Sequence, residues 1–385
     1  MQRIPYRLTR FRAKLPGLAV FDTTLAERCT VFLGKNGAGK SLILEAIANC
    51  AQRACGVLAD GQPLHGWYAL DWSSSDGSPV MYGLESDFAH TKYREVCKLG
   101  DDRLWEVRDG QLTSGILGAV AMAPQAGLLA TTAALPESAS WLRRTLFGVR
   151  YIGAGVPRTS ARGHLFLSRP VPIEVEAGAE FPDSNTSPPT QAPRTWTTKF
   201  PYFQSKRIRK LAETIAEWRE ADGEKWQEFA GVLDRVALRG TWLIEPWKGR
   251  SSDPGQEDGL LSCGGIDIGM LPDGTLRALE ILVGLVDDAT SVLIVEEPET
   301  GIHPGLLARI LAEFDAYADD KQVVLSTHSP QVVAWARASE LRLVRWEENH
   351  PTARSLTDEE AARAASYLNE EGDLGEFAFG GGLDE

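Results

Sequence analysis

Gly34-Lys35-Asn36-Gly37-Ala38-Gly39-Lys40-Ser41 sets glycines, a lysine and a hydroxyl at the spacing G-x-x-x-x-G-K-[ST]. Those residue types in that order make a phosphate cradle. Glycines let consecutive backbone N–H groups turn inward on an anion where a Cβ would obstruct them. Lys40 has the length to reach the β- and γ-phosphates of a nucleoside triphosphate, and the Ser41 hydroxyl is placed to sit on Mg²⁺. A helix beginning at the end of the loop adds unsatisfied amides and a favourable dipole. A cradle alone does not separate kinases, transporters, switches and DNA machines, so its acidic partner has to be found.

"SVLIVEEPETGIHP", residues 291–304, supplies one. Two carboxylates, Glu296 and Glu297, follow an apolar run, at the strand end where ligands bind in open α/β sheets. Glu296 is placed to hold the Mg²⁺ shell, through water, and Glu297 to polarise the water that attacks a γ-phosphate. "QVVLSTHSP", residues 322–330, brings a third strand end, where His328 is placed to hydrogen-bond a γ-phosphate and report its presence.

Each of these groups needs an element to hold it. Val31–Leu33 read as a buried strand entering the cradle, and Leu42–Ala48 as the helix leaving it. Val292–Val295 and Val323–Leu325 read as strands buried on both faces of a parallel sheet. Between the cradle and the carboxylates, residues 56–110 alternate apolar and polar with turn signals, which predicts antiparallel strands. Gln125, in "AMAPQAGLL", is a further candidate for contact with Mg²⁺. The Pro/Ser/Thr/Asn cluster at 180–194 reads as a flexible loop. Ile208, Leu211, Ile215 and Trp218 then form one helical stripe, and Trp226, Phe229, Val232 and Leu233 a second, which predicts a compact arm of two short helices. No sustained heptads are present, so the arm is no long coiled coil.

Composition bounds the rest. The chain has 385 residues, 43% hydrophobic and 24% charged, the profile of an ordinary globular protein with room for two or three domain-sized pieces. A formal charge of −13 excludes a strongly basic nucleic-acid binder but leaves room for a local basic groove. Lys206, Arg207, Arg209 and Lys210 make the densest basic cluster and are the candidates for contact with DNA phosphate. No apolar run approaches the ~20 residues of a membrane span, and the opening "MQRIPYRLTRFRAKL" has no apolar leader core. Cys29, Cys50, Cys55, Cys97 and Cys263 lack C-x-x-C spacing and read as reduced core thiols. The expectation is a cytoplasmic protein with no membrane partner.

Taken in order, "YRLTRFRAKLPGLAVFDTTLAERCTVFLGKNGAGKSLILEAI", "VEEPETGIHP" and "STHSP" resemble the ABC-type ATPases of the SMC, Rad50 and RecF class. Within it they look most like the prokaryotic AAA-family ATPases related to the OLD nucleases and the Septu defence ATPase. The likeness covers about residues 1–50 and 260–335. It implies an α/β fold: a P-loop NTPase head of ABC type, with a mixed sheet flanked by helices, an antiparallel β subdomain and a short helical arm inserted. Residues 1–150 would be the first part of the head with the P-loop, and 151–255 the inserted loop and arm. Residues 256–350 would carry the signature loop, Walker B and switch histidine, and 351–385 a tail.

The resemblance also implies ATP and Mg²⁺ as ligands, a homodimer or higher oligomer closed around ATP, and a signature loop that touches the partner's γ-phosphate. "MLPDGTLRALEILVGLVDDA", residues 270–289, is in the right place for that loop, with Asp273 or Thr275 able to cap the helix behind it and Asp273, Gly274 and Thr275 at the phosphate. Here the sequence departs from the class: Pro272 stands at the usual serine position, and Thr275 is the nearest replacement hydroxyl. Thr300–Pro304 would line the dimer seam, with His303 near the opposite site. OLD proteins carry a nuclease domain after the ATPase, and the residues beyond His328 are too few for one, so the expected effector is a separate protein, a nuclease.

The reading that follows is an ATPase that dimerises around ATP and controls that effector in nucleic-acid sensing, in anti-phage defence. The alternatives are a RecF-like repair ATPase acting on DNA directly, the nucleotide-binding subunit of a transporter, and a binding module with an inactive ATPase.

Overall fold

The run Cys-Thr-Val-Phe-Leu is buried at every position, as a strand covered on both faces must be. In the computed structural model it is β3 (Cys29–Leu33), near the middle of a six-stranded sheet of order β18-β17-β3-β16-β15-β9. The other members are β9 (Val149–Ile152), β15 (Val292–Glu296), β16 (Gln322–Ser326), β17 (Leu341–Glu347) and β18 (His350–Ser355). Pairing is parallel from β9 through β17, and only β18 runs antiparallel. The structure describes residues 6–14, 20–55, 66–74, 77–86, 93–108, 111–115, 137–154, 166–170, 197–199, 206–246, 256–347, 350–357, 359–360 and 363. Gln125 and the 180–194 cluster lie outside them.

Two compact units form, residues 1–154 with 287–385 and residues 155–286. The first contains a second sheet, seven-stranded and antiparallel, of order β2-β1-β4-β5-β6-β7-β8. Its strands are β1 (Tyr6–Lys14), β2 (Val20–Thr24), β4 (Gly66–Ser74), β5 (Pro79–Ser86), β6 (Tyr93–Leu99), β7 (Asp102–Arg108) and β8 (Gln111–Gly115). The alternation between 66 and 108 reflects one buried face: Tyr68, Leu70 and Trp72 point into the core from β4, and Val80, Tyr82 and Leu84 from β5. Helix α1 (Lys40–Ala54) completes that core with Ile43, Leu44 and Ile47, in one apolar cluster that also holds Phe32, Ile294, Val324 and Val344 of the parallel sheet. Helices α2 (Glu137–Phe147), α6 (Pro304–Ala316) and α7 (Pro330–Trp335) also belong to this unit. This is the α/β head of P-loop type that the resemblance implies. β18 lies inside the stretch read as a C-terminal tail, because its antiparallel pairing with β17 extends the sheet.

The second unit holds β10 (Phe166–Pro170), β11 (Thr197–Lys199), β12 (Trp242–Pro246), β13 (Gln256–Cys263) and β14 (Ile266–Asp267), with helices α3 (Lys206–Ala221), α4 (Gly223–Arg235) and α5 (Asp273–Val286). The first helical stripe is as expected, with Ile208, Leu211, Ile215 and Trp218 buried on α3. Of the second, Phe229, Val232 and Leu233 are buried on α4, while Trp226 is half-buried and Lys225 is buried in the same turn. Trp218 meets Phe229 edge-on, centroids 5.4 Å apart. Residues 256–286 were expected with the C-terminal part of the head. Instead β13 pairs with β10 and β12, and α5 packs on α3 and α4. The cause is in the helix itself, which is buried at every residue from Leu276 to Val286 and so needs covering on all sides. Its buried Glu280 is matched within the unit, accepting from Arg207 Nε at 2.6 Å and Nη2 at 2.5 Å.

The two sheets of the first unit share a buried polar joint. Gln322, 1% exposed, accepts from Leu8 N at 2.9 Å and donates to Leu8 O at 2.8 Å and Ala26 O at 2.7 Å. It thereby stands in for a strand neighbour beside the point where the β1–β4 register shifts, between Leu8 and Arg10. Orphaned buried amides and carbonyls cost ~1–3 kcal/mol each, so Gln322→Ala should lower unfolding stability by about 2–4 kcal/mol, read as a lower urea midpoint at unchanged slope. A loss under about 0.5 kcal/mol would show that the joint contributes nothing.

Candidate active site

The strand order places the chemistry. β16 lies between β3 and β15, so the cradle, the histidine and the paired glutamates emerge from three adjacent parallel strands at their C-terminal ends. Gly34, Gly37 and Gly39 take φ of +152°, +80° and +97°, values that side chains other than glycine resist. A Cβ on Gly34 would also collide with the Val344 carbonyl of β17. At Gly37 nothing lies within 4 Å of where a Cβ would stand, so the loop's apex faces open space. The loop closes on itself through Ala38 N to Lys35 O at 3.2 Å, and α1 begins at Lys40. Asn36 and Ser41 are exposed at the rim.

Lys40 is 6% exposed, and its ammonium donates to Gly34 O at 2.8 Å, to Lys35 O at 3.2 Å and to His328 Nε2 at 2.8 Å. Burial pushes its pKa down, while Glu297, Glu299 and Glu296 nearby oppose that shift. His328 is also held below the usual imidazole value, first by burial and then by the Lys40 ammonium, against the pull of Glu297 and Glu299. A neutral ring accepting at Nε2 keeps its proton on Nδ1. The Glu297 carboxylate lies 3.9 Å from His328 Nε2.

Glu297 itself is one of two non-glycine residues with positive φ among the described residues, at +42°. Strain of this kind costs about 1–3 kcal/mol and persists only where neighbours enforce it. They do so here: Glu297 N donates to Ser326 O at 2.8 Å, Thr300 N to Glu297 O at 3.0 Å, and Thr300 Oγ1 to Glu297 Oε2 at 3.1 Å. Glu296 is 5% exposed and accepts from Ala154 N at 2.8 Å.

Several members were not evident from the sequence. Glu299 holds the histidine loop, accepting from Thr327 Oγ1 at 2.9 Å and His328 N at 2.8 Å. Tyr151, at the end of β9, donates to Glu45 Oε1 at 3.5 Å; burial and then Glu296 and Glu45 push its phenol pKa up, so it stays a donor. The only sequence signal for it was a short apolar strand, "VRYI", ending in Gly153. Conversely, Pro272 rather than Asp273 or Thr275 precedes α5: Thr275 N and Leu276 N bond the Pro272 carbonyl at 2.9 and 3.0 Å, and Asp273 and Gly274 lie in the first turn. This loop belongs to the second unit. His303 caps α6 by accepting from Gly305 N at 3.1 Å.

The residues fit a triphosphate with Mg²⁺: an open-apexed cradle, a buried ammonium, an exposed hydroxyl at Ser41 and a carboxylate at Glu296. No group of three or more His, Cys, Asp or Glu side chains able to hold a metal occurs among the described residues.

A glycine cradle, a paired carboxylate and a histidine on three neighbouring parallel strands define a head of P-loop type. Residues 264–334 match the family model described as "AAA domain, putative AbiEii toxin, Type IV TA system". That stretch includes Glu296, Glu297 and His328. No curated protein matches the chain. Among solved structures, the SMC head domain from Thermotoga maritima is similar at 12% identity, with 91% of this chain and 99% of that one covered and a TM-score of 0.46. An Smc head bound to the C-winged helix domain of ScpA is 12% identical, with 92% and 99% covered and a TM-score of 0.49. An Smc head with an extended coiled coil, bound to the C-terminal domain of ScpA from Pyrococcus furiosus, is 10% identical, with 94% and 100% covered and a TM-score of 0.47. No described helix is long and apolar enough to cross a membrane.

The Lys40–His328 contact makes a testable statement about pH. Removing the ammonium in Lys40→Met takes away a charge that opposes protonation of the ring, so His328 should titrate at higher pH than in the parent. Imidazole Cε1–H shifts followed by NMR would read this. A midpoint that stays put or falls would mean that the two side chains do not meet in solution.

Proposed function

We propose that the chain is an ATPase of the SMC and AAA type that uses ATP binding and hydrolysis as a switch. The observation that carries this reading is the meeting at one point of Lys40, His328 and Glu297, with Lys40 Nζ 2.8 Å and Glu297 Oε1 3.9 Å from His328 Nε2. Bound Mg²⁺ would neutralise phosphate charge from the side of Ser41 and Glu296. Lys40 supplies a fixed positive charge to the β- and γ-phosphates in a site already shielded from water, where a charge acts more strongly. Glu297, held by Thr300, accepts the proton of the attacking water. His328, neutral and held by Glu299 through its backbone, senses the terminal phosphate and passes the signal into the loop after β16.

The finer features follow from the same reading. Two copies close around ATP, with Asp273, Gly274 and Thr275 offered to the partner's phosphate and Thr300–Pro304 at the seam. The effector it controls is a separate protein, a nuclease, in the manner of the defence ATPases related to OLD and Septu. Direct action on DNA through the basic cluster is the alternative. Arg207 is engaged by Glu280 there, which makes the exposed Lys210 a stronger candidate than Arg207.

Lys40→Ala should abolish ATP binding measured by calorimetry; retained tight binding would sink the cradle assignment. Glu297→Gln should bind ATP but release phosphate roughly 10²–10⁴-fold more slowly, the usual contribution of a general base, and should elute as an ATP-dependent dimer. Hydrolysis at the parental rate would remove Glu297 from the role of base.

A further inference from the structure

We infer that the exposed face of Trp346 is the platform on which the base of the bound nucleotide stacks, with a purine favoured by its larger face. The inference rests on the ATP reading above and assigns the end of the nucleotide that the glycine loop, Glu297 and His328 leave unaccounted for.

Trp346 is 49% exposed, near the end of β17, and pairs across the hairpin with Pro351 of β18. Alternation along β17 puts Arg342, Val344 and Trp346 on one face. Val344 on that face joins the core cluster with Ile43 and Leu44 of α1. Trp346 therefore stands on the α1 side of the sheet, two residues further toward the strand end from which the cradle emerges. Its contact with the cradle is direct: a Cβ on Gly39 would lie 2.7 Å from Pro351 Cβ and 3.5 Å from Trp346 Cζ3. The indole edge thus abuts the residue before Lys40, with much of the ring left open.

The strand order then fixes which end of a nucleotide this is. β16 and β15, with His328 and Glu297, lie on one side of β3, and β17 and β18 lie on the other. A triphosphate whose terminal group faces Glu297 and His328 extends its opposite end toward the β17–β18 hairpin. A half-open indole beside a phosphate cradle is the surface a planar base needs, because stacking is tolerant of base identity and grows with overlap. Phe147 is more exposed, at 62%, and ends α2.

Calorimetry with three ligands, ATP, CTP and inorganic tripolyphosphate, each with Mg²⁺, tests this. Trp346→Ala should weaken ATP binding roughly tenfold or more, weaken CTP less, and leave tripolyphosphate unchanged, as loss of one stacked base predicts. Trp346→Phe should recover most of the ATP affinity. Unchanged ATP binding in Trp346→Ala would overturn the platform. So would equal loss of ATP and tripolyphosphate, because the ring would then only be propping Gly39. Wild-type protein that binds none of the three would instead overturn the nucleotide reading itself, and the platform with it.

Discussion

A buried ammonium sets the terms for the first unit. Lys40 is 6% exposed, and a charge so placed is tolerated only where dipoles and opposite charges surround it. The carbonyls of Gly34 and Lys35, the His328 ring and the carboxylates of Glu296, Glu297 and Glu299 provide them. Those groups come from three strands whose order is fixed by parallel pairing, so the charge is compensated only when the whole sheet is assembled. The same arrangement keeps His328 neutral and holds Glu297 in a backbone conformation it would not otherwise adopt. Much of the surrounding detail serves these positions: Thr300 fixes Glu297, Glu299 fixes the histidine loop, and Val344 leaves Gly34 no room for a side chain.

What could be read from the sequence was whatever a short stretch encodes by itself. The cradle, the Glu296–Glu297 pair after four apolar residues and the histidine after Val-Val-Leu-Ser-Thr each carry their element and chemistry within about ten residues. The helical stripes of α3 and α4 were equally local. Adjacency was not readable. Tyr151 matters because β9 pairs with β15, and Gln322 because it bridges to Leu8, 314 residues away in sequence. Trp346 lay in an ordinary-looking "LVRWEE", and only the pairing of β17 with β3 brings it to Gly39.

Two readings of the sequence differ from the local packing. The stretch 256–286 was attached to the head because it precedes the paired glutamates, yet a helix buried at every residue from Leu276 to Val286, Arg277 and Glu280 included, needs cover on all sides, here in part from α3 and α4. Asp273 and Thr275 were expected to cap that helix by residue type, but the Pro272 carbonyl takes the first amides and leaves both side chains in the first turn. The boundary between units falls at Val286 and Asp287, between the helix and the strand that carries the glutamates.

The central claim is that segments far apart in the chain make one nucleotide site, and amide hydrogen exchange with and without ATP and Mg²⁺ tests it most directly. The account predicts that nucleotide protects residues 34–41, 296–300 and 326–329 together, in one concentration-dependent step. Protection confined to the glycine loop, or absent from all three segments at saturating ATP, would contradict it.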